Sequence, residues 1–137
     1  MNIQIKENVI PNLKDLIELY SNVGWNNYIN NPEMLDGAYK NSLKVLSAWE
    51  NDRLIGVIRV VGDGYSIIYI QDLLILDEYQ HNGIGSLLLN KVIKIYDNVY
   101  QKILMTEDQP NTVGFYEKCG FRKSNEYGCV AFVNFKC

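Results

Sequence analysis

Histidine is almost missing from this chain. His81 stands alone, and the three cysteines, Cys119, Cys129 and Cys137, are an odd number without metal-type spacing. That excludes a zinc centre built on imidazole and thiolate, and it excludes a disulfide scaffold. No metal is expected. A surplus of charge of one sign is lacking too. The formal net charge is −3, from 13 basic and 16 acidic residues interleaved along the sequence, so no cluster of Lys and Arg offers a footprint for nucleic acid. No apolar run approaches the roughly 18 uninterrupted residues of a membrane span. The opening MNIQIKENVIPNLKDL lacks the basic and then apolar pattern of an export signal. A cytoplasmic chain that meets neither nucleic acid nor membrane is the expectation. Repeats, low-complexity tracts and a Pro/Gly/Ser linker are absent as well.

What is present is an ordinary globular composition, 47% hydrophobic and 21% charged over 137 residues. This is enough for one core and short for two, so a single domain over 1–137 is expected. NIQIK alternates as a short strand does, and PNLKDLIELYSNV repeats apolar residues at helical spacing, with Pro11 suited to the first helical position. A helix over about 12–22 follows. GWNNYINNPEMLDGAYKNS, rich in Asn and interrupted by Pro32 and Gly37, reads as loop, short helix and loop, the composition of a substrate lid. SLKVLSAWE, RLIGVIRVVG and SIIYIQDLLIL are β-rich runs separated by the turn signals ENDR and GDGY, which predicts an antiparallel meander. Residues 84–96 carry too many apolar positions for one stripe, so that helix should be largely buried. KILMT reads as a buried strand, NTVGFYEKC as a short helix ended by Gly120, and EYGCVAFVNF as a last strand. The sum is an α+β fold, with a mixed, mostly antiparallel central sheet flanked by helices.

The junction QHNGIG, residues 80–85, carries the chemistry. A strand that ends near Leu76 and a helix that starts near Gly83 would aim the unpaired amides of Asn82, Gly83, Ile84, Gly85 and Ser86 at one point. The positive end of the helix dipole lies there too, a setting that attracts phosphate or pyrophosphate. Glycine at 83 and 85 would let a ligand approach the backbone. A dinucleotide fingerprint does not fit, because Leu88 fills the third glycine position and the preceding strands are antiparallel. A P-loop fails because Gly85 is followed by Ser86 and Leu87 instead of Lys and then Ser or Thr. Taken alone, the glycines also suit a tight turn into a buried helix.

DLLILDEYQHNGIGSLLL resembles the acetyl-coenzyme-A motif of the GNAT N-acetyltransferase superfamily, a strand, then Q/R-x-x-G-x-G/A, then a long helix. Gln80, Gly83 and Gly85 occupy its fixed positions. About thirty residues on, TVGFYEKCGF resembles the family's second signature, a short helix with a Phe/Leu-Tyr pair that ends in Gly-Phe. The resemblance covers essentially the whole chain and implies a GNAT-like fold. It implies that acetyl-coenzyme A is the cosubstrate. Pantetheine would bond the main chain of Leu73 and Ile75, as a peptide completes a sheet edge. The pyrophosphate would lie on Gln80, His81, Asn82 and the following amides. This loop departs from many relatives in offering no Lys or Arg.

The implied reaction is attack of a primary amine, of a small molecule or a peptide, on the thioester. An alkyl amine with pKa near 10.4 is neutral at pH 7 in about one molecule in 2,500, a cost of roughly 4.6 kcal/mol, so a deprotonating device is expected. The family's base is often a Glu on the strand before the loop, but Gln71 holds that place here. Asp72 follows it and matches an acid found in many small-molecule members, although strand alternation turns it away from Gln71 unless a bulge intervenes. Tyr116 matches the tyrosine that donates to the departing thiolate. Gln109 stands where relatives often place an Asn that contacts the coenzyme, and Asn111 is expected to cap the short helix. Trp25, Tyr28 and Tyr39, with Gln71, would line the acceptor side, where aromatic faces attract an ammonium. A non-catalytic acyl-coenzyme-A-binding regulatory module is the alternative. A homodimer through the apolar CVAFV is the remaining expectation.

Overall fold

The computed structural model describes residues 2–136. The chain divides into two compact units, Met1–Met105 and Thr106–Cys137. The first begins with β1 (Ile3–Lys6), α1 (Leu13–Asn22), α2 (Asn26–Ile29) and α3 (Pro32–Lys40). There follow β2 (Lys44–Glu50), β3 (Arg53–Gly62), β4 (Ile67–Ile75), α4 (Ile84–Ile95) and β5 (Gln101–Leu104). The strands form one sheet in the order β1-β2-β3-β4-β5, antiparallel except for the parallel pair β4 and β5. The mixed sheet and the meander stand as expected, and the three β-rich runs fall on β2, β3 and β4.

The core follows from the apolar periods. β3 is buried at every residue from Leu54 to Val60, as a strand covered on both faces should be. Helix α4 inserts Ile84, Leu88, Leu89 and Val92, while α1 inserts Leu16, Leu19 and Tyr20. Pairing between β3 and β4 steps from Arg59 opposite Asp72 to Val60 opposite Ile70, so Gln71 is an unmatched extra residue, a β-bulge. Among the described residues no helix is long and apolar enough to cross a membrane.

Four expectations change. Pro11 lies outside α1, whose N-cap is Asn12, with Oδ1 accepting from the Asp15 amide at 2.9 Å. Pro32 starts α3 at its first turn instead of breaking it, and Gly37 lies within that helix, because Leu35 and Tyr39 bury its apolar side. The KILMT run becomes β5, which is only half-buried since a single neighbour covers one of its edges.

The second unit holds α5 (Pro110–Lys118), a stop at Gly120 with φ +98°, and a short 3-10 turn at Ser124–Tyr127. EYGCVAFVNF forms no strand among the described residues. Its β-propensity has no ladder to join, and strand propensity reflects packing against neighbours more than backbone preference.

Candidate active site

β4 and β5 run together only from Ile67 to Ile70, opposite Gln101 to Leu104. Beyond that, Gln71 to Ile75 keep β3 on one side and lose β5 on the other. The Leu76 amide donates to the Ile55 carbonyl of β3 at 2.9 Å. By alternation the main-chain groups of Leu74 also face β3, and those of Leu73 and Ile75 face the opened edge. The two residues singled out for pantetheine are thus the ones whose backbone is turned outward. Gln80 Nε2 occupies the Ile75 carbonyl at 3.1 Å, which ties the loop to the strand end.

The loop organises itself by side chains. Gln80 Nε2 also reaches Asp77 Oδ1 at 3.2 Å, and Asn82 Nδ2 donates to the carbonyls of Tyr79 and Gln80 at 3.2 and 3.1 Å. Both amide side chains therefore brace the bend. His81 and Gly83 adopt left-handed backbone, φ +65° and +79°. A Cβ at Gly83 would meet nothing within 4 Å, so glycine answers a conformational need there more than a spatial one. Gly83 is the N-cap of α4 and no side chain caps the helix. The first helical bond runs from the Leu87 amide to the Gly83 carbonyl at 3.0 Å, which leaves the amides of Ile84, Gly85 and Ser86 open. The Ile84 side chain itself is buried, so only its amide is on offer.

On the acceptor side, Trp25 and Tyr28 stack with ring centroids 6.1 Å apart, and both meet Tyr20, at 6.0 and 5.0 Å. They line an open cavity of about 430 Å³ with Gly24, Asn26 and Asn27. The bulged Gln71 is exposed and directs Nε2 toward Tyr28 Oη at 3.5 Å. Trp25, Tyr28 and Gln71 thus come together, but Tyr39 is buried and does not line this cavity.

Asp72 is also inside. Its Oδ2 accepts from Arg59 Nε and from Tyr20 Oη, both at 2.8 Å, and Tyr20 Oη lies 2.7 Å from Tyr39 Oη. Tyr20 gives its proton to the carboxylate, so Tyr39 donates to Tyr20. The Arg59 guanidinium lies over the Tyr39 ring at 5.5 Å. Burial pushes both phenols well above the usual tyrosine range, with each other and Asp72 as the next influences on Tyr20. Asp72 Oδ1 is buried with no hydrogen-bond partner among the described residues. Arg59 and Tyr20 were missed from the sequence, although one Arg inside the apolar run RLIGVIRVVG is itself a signal for a buried partner. Glu78, beyond the end of β4, is engaged by Arg53 at 2.6 Å.

Tyr116 lies on α5 in the second unit, its ring edge-on to Phe115 at 5.0 Å and to Phe121 at 6.1 Å. Burial, and secondarily Cys119, pushes its phenol up to about 12. Gln109 is the N-cap of α5 and makes no side-chain cap. Asn111 falls inside the helix instead of capping it, because Pro110 already takes the first helical position.

A family profile described as acetyltransferase (GNAT) domain matches residues 16–136. The chain belongs to the GNAT acetyltransferases. A GNAT-family acetyltransferase from Streptococcus pneumoniae superposes with TM-score 0.88 at 38% identity, covering 98% of each chain. The uncharacterized N-acetyltransferase ycf52 of Pyropia yezoensis is 28% identical over 89% of this chain and 71% of its own length. The PaiA N-acetyltransferase of Thermoplasma acidophilum, solved in complex with coenzyme A, superposes with TM-score 0.70 at 25% identity, over 89% of this chain and 91% of its own. GNAT membership accounts for the mixed five-stranded sheet and for both sequence signatures.

Proposed function

We propose that the chain is an acetyl-coenzyme-A-dependent N-acetyltransferase acting on a primary amine of a small molecule or peptide, with residues 1–137 working as one catalytic domain. The observation that carries this reading is a run of open main-chain groups, from the outward side of Leu73 and the outward amide of Ile75, whose carbonyl is taken by Gln80, to the uncapped amides of Ile84, Gly85 and Ser86. A pantetheine arm with two amides suits the strand edge, and a pyrophosphate suits the helix start. That the Thermoplasma relative was solved in complex with coenzyme A supports coenzyme A as the ligand.

Bound there, the coenzyme would supply an activated acyl thioester. The chain's own residues would do the rest. Gln80 and Asn82 keep the loop in shape. With no Lys or Arg in it, the anion is held by amides and the helix dipole, each such interaction adding about 0.3–1 kcal/mol when exposed. Trp25 and Tyr28 receive an ammonium-bearing acceptor, and Gln71 offers it an amide. Asp72, inside its ion pair, serves as a positioning residue: through Tyr20 and Tyr39 it fixes α1 and α3 against the bulged strand. Tyr116, protonated at neutral pH, donates a hydrogen bond to the departing thiolate. The partners are an amine acceptor and a second copy of this chain.

Free-thiol release from acetyl-coenzyme A against a panel of amines tests the proposal, with calorimetry of coenzyme A alone beside it. Uptake together with amine-dependent thiol release is expected. Absence of both would overturn it. The neutral Gln71 and the occupied Asp72 favour one second reading, a module that binds an acyl-coenzyme A without turning it over. Uptake with no thiol release from any amine would select that reading.

A further inference from the structure

The 3-10 turn Asp77–Tyr79 joins β4 to the glycine loop. The residue before it is Leu76, buried and without a side-chain acceptor, so the first amide of the turn has no local cap. Its cap comes from a distant element. Asn22, the last residue of α1, sets Oδ1 3.0 Å from the Asp77 amide, across 55 positions of sequence. The Asp77 carboxylate is engaged from the other side by Gln80 Nε2 at 3.2 Å, the same nitrogen that reaches the Ile75 carbonyl. One residue is therefore tied both to the end of α1 and to the loop. All of these groups belong to the first unit, Met1–Met105.

Two further anchors make the turn a fixed point. Tyr79 Oη donates to Glu50 at the end of β2, and Arg53 at the start of β3 pairs with Glu78 at 2.6 Å while lying 5.8 Å from the centre of the Tyr79 ring. The chain leaving α1 is equally set. Gly24 takes φ +79°, and the amides of Gly24 and Trp25 donate to the carbonyls of Ser21 and Tyr20 at 3.1 and 3.0 Å. Trp25 and the cavity lined by residues 24–28 thus follow the last turn of α1. Asn22 lies in that turn. It is exposed, so the interior places no demand on its side chain.

We propose that Asn22 is a positioning residue for the transfer: by holding the Asp77 amide it sets the acceptor cavity at a fixed distance from the coenzyme loop. The proposal rests on the acceptor and coenzyme assignments made above. Direct attack needs the amine and the thioester carbon about 3–3.5 Å apart, and a misplacement of about 1 Å costs on the order of 100-fold in rate. Asn22 is assigned to neither site, so shortening it leaves both sites whole and changes only their relation. The signature belongs to kcat and to neither KM.

The test compares full-length N22A and N22D with the natural chain, using acetyl-coenzyme A and the fastest amine of a panel that runs from tyramine to short peptides with a free α-amine. N22D keeps an accepting oxygen in the same place. N22A should lower kcat by about 10- to 100-fold. Coenzyme A affinity and the KM of the amine should stay within about twofold, and the melting temperature within a few degrees, as for other exposed positions. N22D should recover most of the lost kcat. Hydrogen exchange reads the bond without any activity: the Asp77 amide should exchange slowly in the natural chain and in N22D, and fast in N22A. An N22A enzyme with the natural kcat would overturn the proposal alone. So would an equal loss in N22D, a loss carried by KM instead of kcat, or an Asp77 amide that exchanges alike in all three proteins. A natural chain that takes up no coenzyme A or turns over no amine would overturn the assignments beneath the proposal, and the proposal with them.

Discussion

Asp72 and Leu73 are neighbours on β4 and obey opposite rules. The Asp72 side chain points inward, and its Oδ2 is satisfied twice, by Arg59 and Tyr20. The Leu73 main chain faces outward, past the point where β5 stops, and has no strand to meet. The contrast continues in the helices. α1 and α3 begin with Asn12 and Asn31, whose side chains each accept a first-turn amide, whereas α4 begins bare at Gly83. Apart from Asp72 Oδ1, the polar side chains of this cluster are paired inside the fold, whereas the outward groups of Leu73 and the first amides of α4 lie on one path suited to a ligand. The comparison sorts substitutions in advance. Changes on the inner side should cost stability, and changes on the outer path should cost binding or turnover.

The largest effect is expected at Arg59. R59M strands a buried carboxylate, and breaking a buried pair from one side typically costs about 3–5 kcal/mol. Chemical denaturation should show that loss. Adding D72N to the same chain should recover a good part of it, because the buried charge is then gone. If the double variant is as unstable as the single one, the pair is not what fixes α1 and α3 on the strand.

Next comes Tyr116, where the fold should hold and the chemistry should not. Y116F is expected to lower kcat by about 100-fold, the low end of general-acid effects, with coenzyme A affinity nearly unchanged. The pH dependence has a definite sign. Burial raises the folded phenol to about 12, above its unfolded value near 10. Its contribution to stability is complete below pH 10 and is lost as pH rises toward 12. In the neutral range kcat/KM should climb about tenfold per pH unit with the fraction of free amine, because no uncommitted carboxylate on β4 is placed to take the proton. A plateau near pH 6 would reveal a protein base that this arrangement lacks.

How much of this was legible in the sequence follows the range of each signal. β2, β3, β4 and α4 are written in local apolar periods and both signatures are contiguous, so the glycine junction could be read directly, while the open edge came only through the family resemblance those signatures carry. The Asp72 pairing was not, since Arg59 is 13 residues away across a hairpin whose register is shifted by the bulge at Gln71. Alternation set Asp72 opposite to Gln71 only in the absence of a bulge, and it named neither its burial nor its partners. At 129–135 propensity suggested a strand, yet a strand exists only when an edge receives it. Pro32 and Pro110 were more informative than the reading allowed: each marks a helix start, and Pro110 moves the cap of α5 from Asn111 to Gln109.

A third effect, smaller, lies on the outer path. G83A forces a Cβ into φ +79°, a strain of roughly 1–2 kcal/mol. Space is open there, so the strain should either lower the melting temperature by a few degrees or relax by turning the first amides of α4. In the second case coenzyme A affinity falls while stability is spared. Finding neither would remove the left-handed bend from the binding site.

The smallest change provides the control. Asn31 Oδ1 accepts the Met34 amide at 3.2 Å and so caps α3 as no side chain caps α4. N31A should cost about 1 kcal/mol by denaturation, the usual value of such a cap. Coenzyme A affinity should not move, since the amide it frees belongs to a different helix from the one left open at Gly83. An equal loss of affinity would mean that the two helix starts are not independent. The division between a satisfied interior and an unsatisfied path would then fail at its simplest point.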